Sequence, residues 1–168
     1  MKLKMLSGIV GLLVAFSVFT GCDDDDEPQS RNETQYSLGE LEDSGVSGTV
    51  TFTKMDDATT RIVIELTGTV DGDMHPAHIH AGNASTGGPI VVDFSPVDGA
   101  TGRSETTVTA LNDGTPITYE ELIAFDGHVN VHKSATELAI MIAQGSIGAN
   151  ATGQGPSPDT GDGGAYPQ

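Results

Sequence analysis

Cysteine, tryptophan and basic residues are scarce in this sequence of 168 residues, which has the length of a single domain. The only Cys, Cys22, excludes an internal disulfide and a zinc site built from several thiolates. Seven Lys and Arg stand against 24 Asp and Glu, a formal net charge of −17, which excludes a surface that follows the phosphates of nucleic acid. With no Trp, three Tyr and five Phe, the core has to be built from aliphatic side chains.

The N-terminal segment has the pattern of a bacterial secretion signal. Two Lys precede an apolar run over residues 5–19, which is shorter than the about 20 residues that a membrane-spanning helix needs. The four residues that end at Cys22, Phe-Thr-Gly-Cys, resemble a lipobox. This resemblance implies that a signal peptide, residues 1–21, is cleaved off and that Cys22 is lipidated.

The segments on either side of the central region are predicted to lack a folded core. Residues 22–36 carry five successive acidic residues after Cys22 and no apolar period, which indicates an acidic tether. Residues 149–168 are rich in Gly and Pro, which is typical of a disordered tail. A folded domain is therefore expected over residues 37–148. Lipid on Cys22 would anchor it in the bacterial cell envelope. An acidic run behind a lipidated Cys resembles a surface-export signal, which favours the outer membrane or cell surface, whereas in other bacteria an Asp directly after that Cys is an inner-membrane retention signal, so both locations stay open.

The central region shows a hydrophobic period of two, which is typical of β-strands. Runs rich in Val, Ile and Thr alternate with Gly-rich turns at near-regular spacing, so we predict an all-β domain of seven or eight short strands in an antiparallel sandwich or barrel. One helical turn is expected over residues 118–124, with Thr118 as N-cap and Glu121 as its capping-box partner. The predicted strands cover residues 46–54, 60–69, 77–81, 89–94, 103–110, 127–133 and 138–147.

Histidine is the residue type that offers chemistry in this domain. Residues two apart in a strand share a face, so His78 and His80 project together while Ile79 turns toward the core. The same parity places His128 and His132 on one face, with the intervening Val residues opposite. If the two strands are neighbours, these imidazoles meet on the outer face of the sheet.

Three or four converging imidazoles can hold a metal ion. An all-nitrogen set suits copper or zinc rather than calcium or magnesium. We therefore predict a metal site at His78, His80 and His132, with His128 or His75 as candidate fourth ligands. His75 precedes Pro76 in a predicted loop, where a solvated imidazole is the favoured interpretation.

A structural role for the same histidines is equally compatible with the sequence. In that interpretation they are half-buried and hydrogen-bond to Asn130, to backbone carbonyls or to Asp93. Asp93 itself could orient a ligand imidazole, although its simpler interpretation is the end of a strand.

Three blocks of the sequence resemble the CHRD domain, first described in chordin and common in bacterial envelope proteins. The blocks are AHIH at 77–80, GPIVVDF at 88–94 and VNVH at 129–132. The resemblance covers roughly residues 46–148. CHRD domains in turn resemble copper/zinc superoxide dismutase in fold, which implies a Greek-key β-sandwich of the immunoglobulin-like or superoxide dismutase-like kind. Under that comparison His78 and His80 match the first two copper ligands, and His132 matches the last.

Several features of a copper/zinc dismutase are missing from the sequence. No His occurs between His80 and His128, so the zinc site has no counterpart, and the lone Cys22 cannot form the structural disulfide. No Arg follows Arg103 to attract superoxide. Removal of residues 1–21 leaves 24 acidic against five basic residues, a net charge of −19, which disfavours long-range attraction of an anion.

Three functions are compatible with these observations. The first is a lipid-anchored binding module that recognises an envelope protein or glycan, and the second is a copper-binding module for sequestration or delivery. The third is a copper-only redox enzyme similar to superoxide dismutase. Binding, with a candidate copper site, is favoured over catalysis, and no catalytic residue is assigned.

Overall fold

A computed structural model describes residues 32–151, and within that range the protein is almost entirely β-structure. A single short helix, α1, lies between the eighth and ninth strands. The strands are β1 (Glu33–Glu40), β2 (Ser47–Lys54), β3 (Thr60–Thr67), β4 (Met74–His75), β5 (Ala77–Ala81), β6 (Ile90–Asp93), β7 (Val97–Asp98), β8 (Arg103–Val108), β9 (Asp126–His132) and β10 (Met141–Gly148), and the helix is α1 (Tyr119–Ile123).

All ten strands belong to one curled antiparallel sheet, in the order β4-β7-β8-β3-β2-β1-β10-β9-β5-β6. The curl brings β2 and β3 opposite β9 and β5, and a single hydrophobic core lies between them. Phe52 and Ile64 on one side pack in the same cluster as Ile79 and Val131 on the other, and each is at most 1% exposed. The prediction of an all-β antiparallel sandwich is confirmed.

The folded region begins earlier in the chain than its composition indicates. The sequence assigns residues 33–36 to the acidic tether, whereas β1 begins at Glu33 and buries Thr34, Tyr36 and Leu38 on alternate positions. Tyr36 packs edge-to-face on Phe52 with ring centroids 5.5 Å apart. The period of two is present in this segment, but the preceding run of acidic residues obscures its start.

The predicted helical turn is confirmed together with its cap. The Glu121 backbone N–H donates to Thr118 Oγ1 at 3.3 Å, and the Thr118 backbone N–H donates to Glu121 Oε2 at 2.8 Å, which completes a capping box. Tyr119 and Leu122 are buried, so one face of α1 extends the core. Strands β4 and β7, which pair with each other, were not predicted because each has only two residues.

The two histidine-bearing strands are neighbours, as the convergence of their imidazoles requires. Strand β5 pairs with β9 in antiparallel register, with His78 opposite Asn130 and His80 opposite His128. Strand β6 lies on the outer side of β5, and β10 lies on the other side of β9. Ile79, Val129 and Val131 are fully buried in the core, so the histidines project from the opposite face of the sheet.

Several predictions fall on parts of the chain that the structure does not describe. The signal peptide, the lipidation site Cys22 and the tether up to residue 31 lie outside the described residues, and so does the tail from residue 152. Within residues 32–151, α1 is too short to cross a membrane, and no other helix is found there.

Candidate metal centre

The sheet brings three of the five histidines to one point. One nitrogen each of His78, His80 and His132 lies within 4.8 Å of the others. The ring centroids of His78 and His132 are 5.1 Å apart, those of His78 and His80 are 6.0 Å apart, and those of His80 and His132 are 6.4 Å apart. We refer to these three residues as the histidine cluster.

The histidine cluster is less exposed than a site on an open sheet face would be. His132 is only 7% exposed, and the side chain of His78 is 14% exposed. The sequence predicts the face correctly but does not predict how closely backbone groups of the following turns approach the rings. The Gly82 and Gly88 carbonyls touch the rings of His128 and His80, and the Leu138 backbone acts on the ring of His132.

A backbone carbonyl fixes the tautomer of His80. Its Nδ1 lies 2.8 Å from the Gly88 carbonyl oxygen, which can only accept, so Nδ1 carries the hydrogen and Nε2 keeps its lone pair. That Nε2 is buried and has no hydrogen-bond partner. Metal-ligating imidazoles adopt this arrangement: one ring nitrogen donates to a carbonyl, and the other is free to bind the metal.

Glycine is required at position 88 for this contact. A Cβ on Gly88 would lie 1.9 Å from the Ala81 carbonyl oxygen, so any other residue would push the turn away from β5. The close approach also allows the Ala81 N–H to donate to the Pro89 carbonyl at 3.0 Å. The Gly-Pro pair that begins the GPIVVDF block therefore allows the Gly88 carbonyl to reach the His80 ring.

His78 has one ring nitrogen beside a carboxylate and one without a partner. Its Nε2 lies 3.5 Å from Asp93 Oδ1, and its Nδ1 is buried without a hydrogen-bond partner. Asp93 is the last residue of β6 and also accepts a hydrogen bond from Asn112 Nδ2 at 3.0 Å. Asp93 thus ends β6 and also lies beside the His78 ring, so a position at the end of a strand is compatible with a role in orienting the imidazole.

Neither ring nitrogen of His132 makes a well-formed hydrogen bond, although both are buried and the Leu138 backbone lies near the ring. Asn130, the expected partner in the structural interpretation, instead accepts a hydrogen bond from Gln144 Nε2 at 2.7 Å. A buried polar group without a partner costs about 1–3 kcal/mol. The histidine cluster contains four such nitrogens.

A small cation fits this arrangement better than water does. Each of the four nitrogens exposes less than 1 Å², so a water-sized sphere hardly touches them, whereas a bare metal ion is smaller. Three neutral imidazoles also match the nitrogen preference of copper and zinc. The residues therefore fit a copper or zinc ion on their donor chemistry and on their unsatisfied nitrogens.

Burial favours the neutral form of His78 and His132. Burial is the main cause that lowers the pKa of His78 below its usual 6.5, and the nearby His132 and His80 lower it further, while Asp93 partly opposes the shift. Burial also lowers the pKa of His132, where the Leu138 backbone opposes the shift and His80 adds to it. Neutral imidazole is the form that binds metal.

The structure does not bring the two candidate fourth ligands into the cluster. His128 stacks on His80 with ring centroids 5.2 Å apart and donates from Nδ1 to the Gly82 carbonyl at 2.8 Å, but its nitrogens lie outside the 4.8 Å group. His75, which the sequence places in a solvated loop, is instead buried in β4, donates from Nδ1 to the Lys133 carbonyl at 2.9 Å and lines a separate cavity of about 270 Å³.

Sequence reasoning missed the residues that hold the histidines in place. The carbonyls of Gly82 and Gly88 hold His128 and His80 through hydrogen bonds that depend on turn geometry, and the amide of Gln144 binds Asn130 rather than a histidine. The Gly-Gly-Pro sequence before β6 was the one available signal, because adjacent glycines often mark a close backbone approach.

Comparison with family models identifies a family for most of the described region. A family model described as CHRD domain matches residues 32–138, which include β1 and both histidine-bearing strands. No curated protein matches the chain. The match starts at the beginning of β1, so it agrees with the observed start of the folded region rather than with the predicted start at residue 37.

Proposed function

The chain belongs to the CHRD domain family, and on that premise we propose that it is a lipid-anchored binding module of the bacterial cell envelope that holds copper at His78, His80 and His132. The CHRD domain supports a binding role. The observation that carries the copper proposal is the set of four buried, unpartnered imidazole nitrogens in one cluster.

Electrostatics favour holding a metal over turning over an anionic substrate. Lys133 follows His132 directly, but its ammonium group is bound to Glu137 Oε1 at 3.0 Å. Among the described residues, Arg103 pairs with Glu105 at 2.8 Å and Lys54 pairs with Glu120 at 2.7 Å. With a formal net charge of −17, the protein would repel superoxide at long range and attract metal cations.

The envelope location rests on the N-terminal signal. The lipobox-like residues that end at Cys22 support a lipid anchor, and the acidic residues behind it support export to the outer membrane or cell surface. We propose that the anchored domain takes up copper there or presents it to an envelope protein or glycan. The lipid on Cys22 is then its link to the membrane.

Metal titration tests the copper proposal. The full chain carrying Cys22→Ser, which removes the only thiol, is titrated with Cu(II), Cu(I) and Zn(II) beside a triple variant with His78→Gln, His80→Gln and His132→Gln. We expect one copper per chain and a loss of at least about 100-fold in affinity in the triple variant. His75→Gln is the matched control, since it removes a buried imidazole outside the cluster and should keep the affinity.

Two results would contradict this assignment. Equal copper affinity in the parent and the triple variant, with both folded by circular dichroism, would exclude the histidine cluster as the site. Superoxide dismutation by the copper-loaded chain above a free-copper control would instead support the redox enzyme as its function.

A further inference from the structure

Strand β10 carries a β-bulge beside the histidine cluster. Met141 lies opposite His132 and Ala143 lies opposite Val131, so Ile142 is an extra residue between two consecutive pairs. Ile142 and Ala143 are both buried in the core, at 7% and 0% exposure. The bulge therefore turns Met141 away from the core and onto the face that carries His132, because directly opposed residues of an antiparallel pair share a face.

A contact of the Met141 sulfur confirms this placement. Met141 Sδ lies 3.8 Å from Gln144 Nε2, and the same Nε2 donates to Asn130 Oδ1 at 2.7 Å. Asn130 in turn lies opposite His78. The thioether thus lies on the histidine face. Met141 is paired with His132 across β10 and β9, and the neighbouring pair Gln144–Asn130 continues to His78 on β5.

We propose that Met141 supplies a sulfur donor to the metal held by the histidine cluster and that this donor makes the site prefer Cu(I). The inference rests on the proposed function and adds a ligand and an oxidation state to it. Thioether sulfur is a soft ligand that selects Cu(I), while zinc and Cu(II) gain less from it.

Two further properties favour Cu(I). Three neutral imidazoles and a thioether add no negative charge, so a monovalent ion is less costly to bury than a divalent one. The Met side chain has three rotatable bonds, and a 3.8 Å contact with an amide is weak, so the sulfur can leave Gln144 for the ion.

X-ray absorption and chelator competition test this inference. In the full chain with Cys22→Ser, the Cu(I)-loaded protein should show a sulfur neighbour in the extended fine structure, and Met141→Leu should abolish it. Against a Cu(I) chelator, Met141→Leu should lose at least about tenfold in affinity, while its Cu(II) affinity changes less than about twofold. Met55→Leu is the matched control, because Met55 is 54% exposed in the β2–β3 turn.

The outcomes separate this inference from the proposed function. Copper bound without a sulfur neighbour, or equal Cu(I) affinity in Met141→Leu, would overturn the role of Met141 and leave the three-histidine site standing. A parallel loss of Cu(I) and Cu(II) affinity in Met141→Leu would overturn it as well, because it would indicate a general disturbance of the site. A parent chain that binds no copper would overturn both.

Discussion

The imidazoles of His78 and His132 lie with ring centroids 5.1 Å apart, and only the pairing of β5 with β9 brings them together. His132 is not directly opposite His78 but on the diagonal, since Asn130 occupies the opposed position. Diagonal neighbours on a sheet face are within reach of long or aromatic side chains. The cluster is therefore a property of strand register, and a shift of one residue would turn His132 into the core.

We predict that Gly88→Ala weakens copper binding although it leaves all three histidine ligands unchanged. The added methyl group would lie 1.9 Å from the Ala81 carbonyl oxygen, so the turn must move and release the carbonyl that fixes the His80 tautomer. Loss of such an outer contact typically costs about 10–100-fold in metal affinity. The affinity is measured by chelator competition.

Gly87→Ala is the control for that variant. Gly87 has φ +67°, and a Cβ added there would meet no atom within 4 Å, so its substitution strains the backbone by about 1–2 kcal/mol without displacing a neighbour. We expect it to lower thermal stability and to keep the copper affinity. Equal copper affinity in the Gly87 and Gly88 variants would show that the carbonyl contact is not needed.

The two faces of β5 should separate stability from metal binding. Ile79→Val removes one methylene group from a fully buried site and should lower the free energy of unfolding by about 0.5–1.5 kcal/mol, with copper affinity unchanged. His80→Gln, one residue away on the other face, should lose copper binding. Urea denaturation and copper titration of both variants check this, and loss of copper binding in Ile79→Val would argue against independent faces.

Acidification should destabilise the metal-free protein. The folded pKa values of His78 and His132 lie below the usual 6.5, so between those values the unfolded chain binds more protons than the folded one. The free energy of unfolding is thus constant above about pH 6.5, falls as the pH drops from there toward the folded pKa values, and levels off below them. Urea denaturation as a function of pH measures it.

The variant with His78→Gln and His132→Gln is the comparison for this pH dependence, and it should lose less stability on acidification. The lowered pKa values also imply that copper is retained to a lower pH than the 6.5 expected for free imidazole. A pH dependence that is the same in the parent and the variant would assign the acid sensitivity to other groups.

Lipidation is predicted to depend on Cys22. In a bacterial host fed with labelled palmitate, the parent chain should incorporate label and sediment with membranes, whereas Cys22→Ser should do neither. Protease added to intact cells should degrade the parent chain if the acidic residues behind Cys22 direct it to the surface. Label in Cys22→Ser would place the lipid elsewhere.

Most strands and the faces of His78, His80, His128 and His132 could be predicted because both follow from local periodicity, whereas the burial of His75 in β4 could not. Ile79 between His78 and His80 predicts which side is buried, and the structure agrees. The position of β1 could not be predicted as well, since a charged run masks the alternation that starts at Glu33. A composition averaged over several residues blurs the boundary between the acidic segment and β1, whereas each residue of β1 is buried or exposed individually.

The contacts between strands could not be predicted from the sequence. That Met141 lies opposite His132 depends on the bulge at Ile142, and a bulge leaves no clear signal in one sequence. The same holds for the Gly82 and Gly88 carbonyls, whose direction depends on turn conformation. Residue types thus predicted which atoms could bind a metal, and tertiary pairing decided which of them meet.

The enclosure of the imidazole nitrogens has a kinetic consequence. Because less than 1 Å² of His80 Nε2 and of either nitrogen of His132 faces solvent, a hydrated ion cannot reach them in the folded arrangement. Copper would have to shed its water and wait for the covering turns to open, so loading would proceed well below the diffusion limit. Release of the proposed copper would require the same opening of the turns.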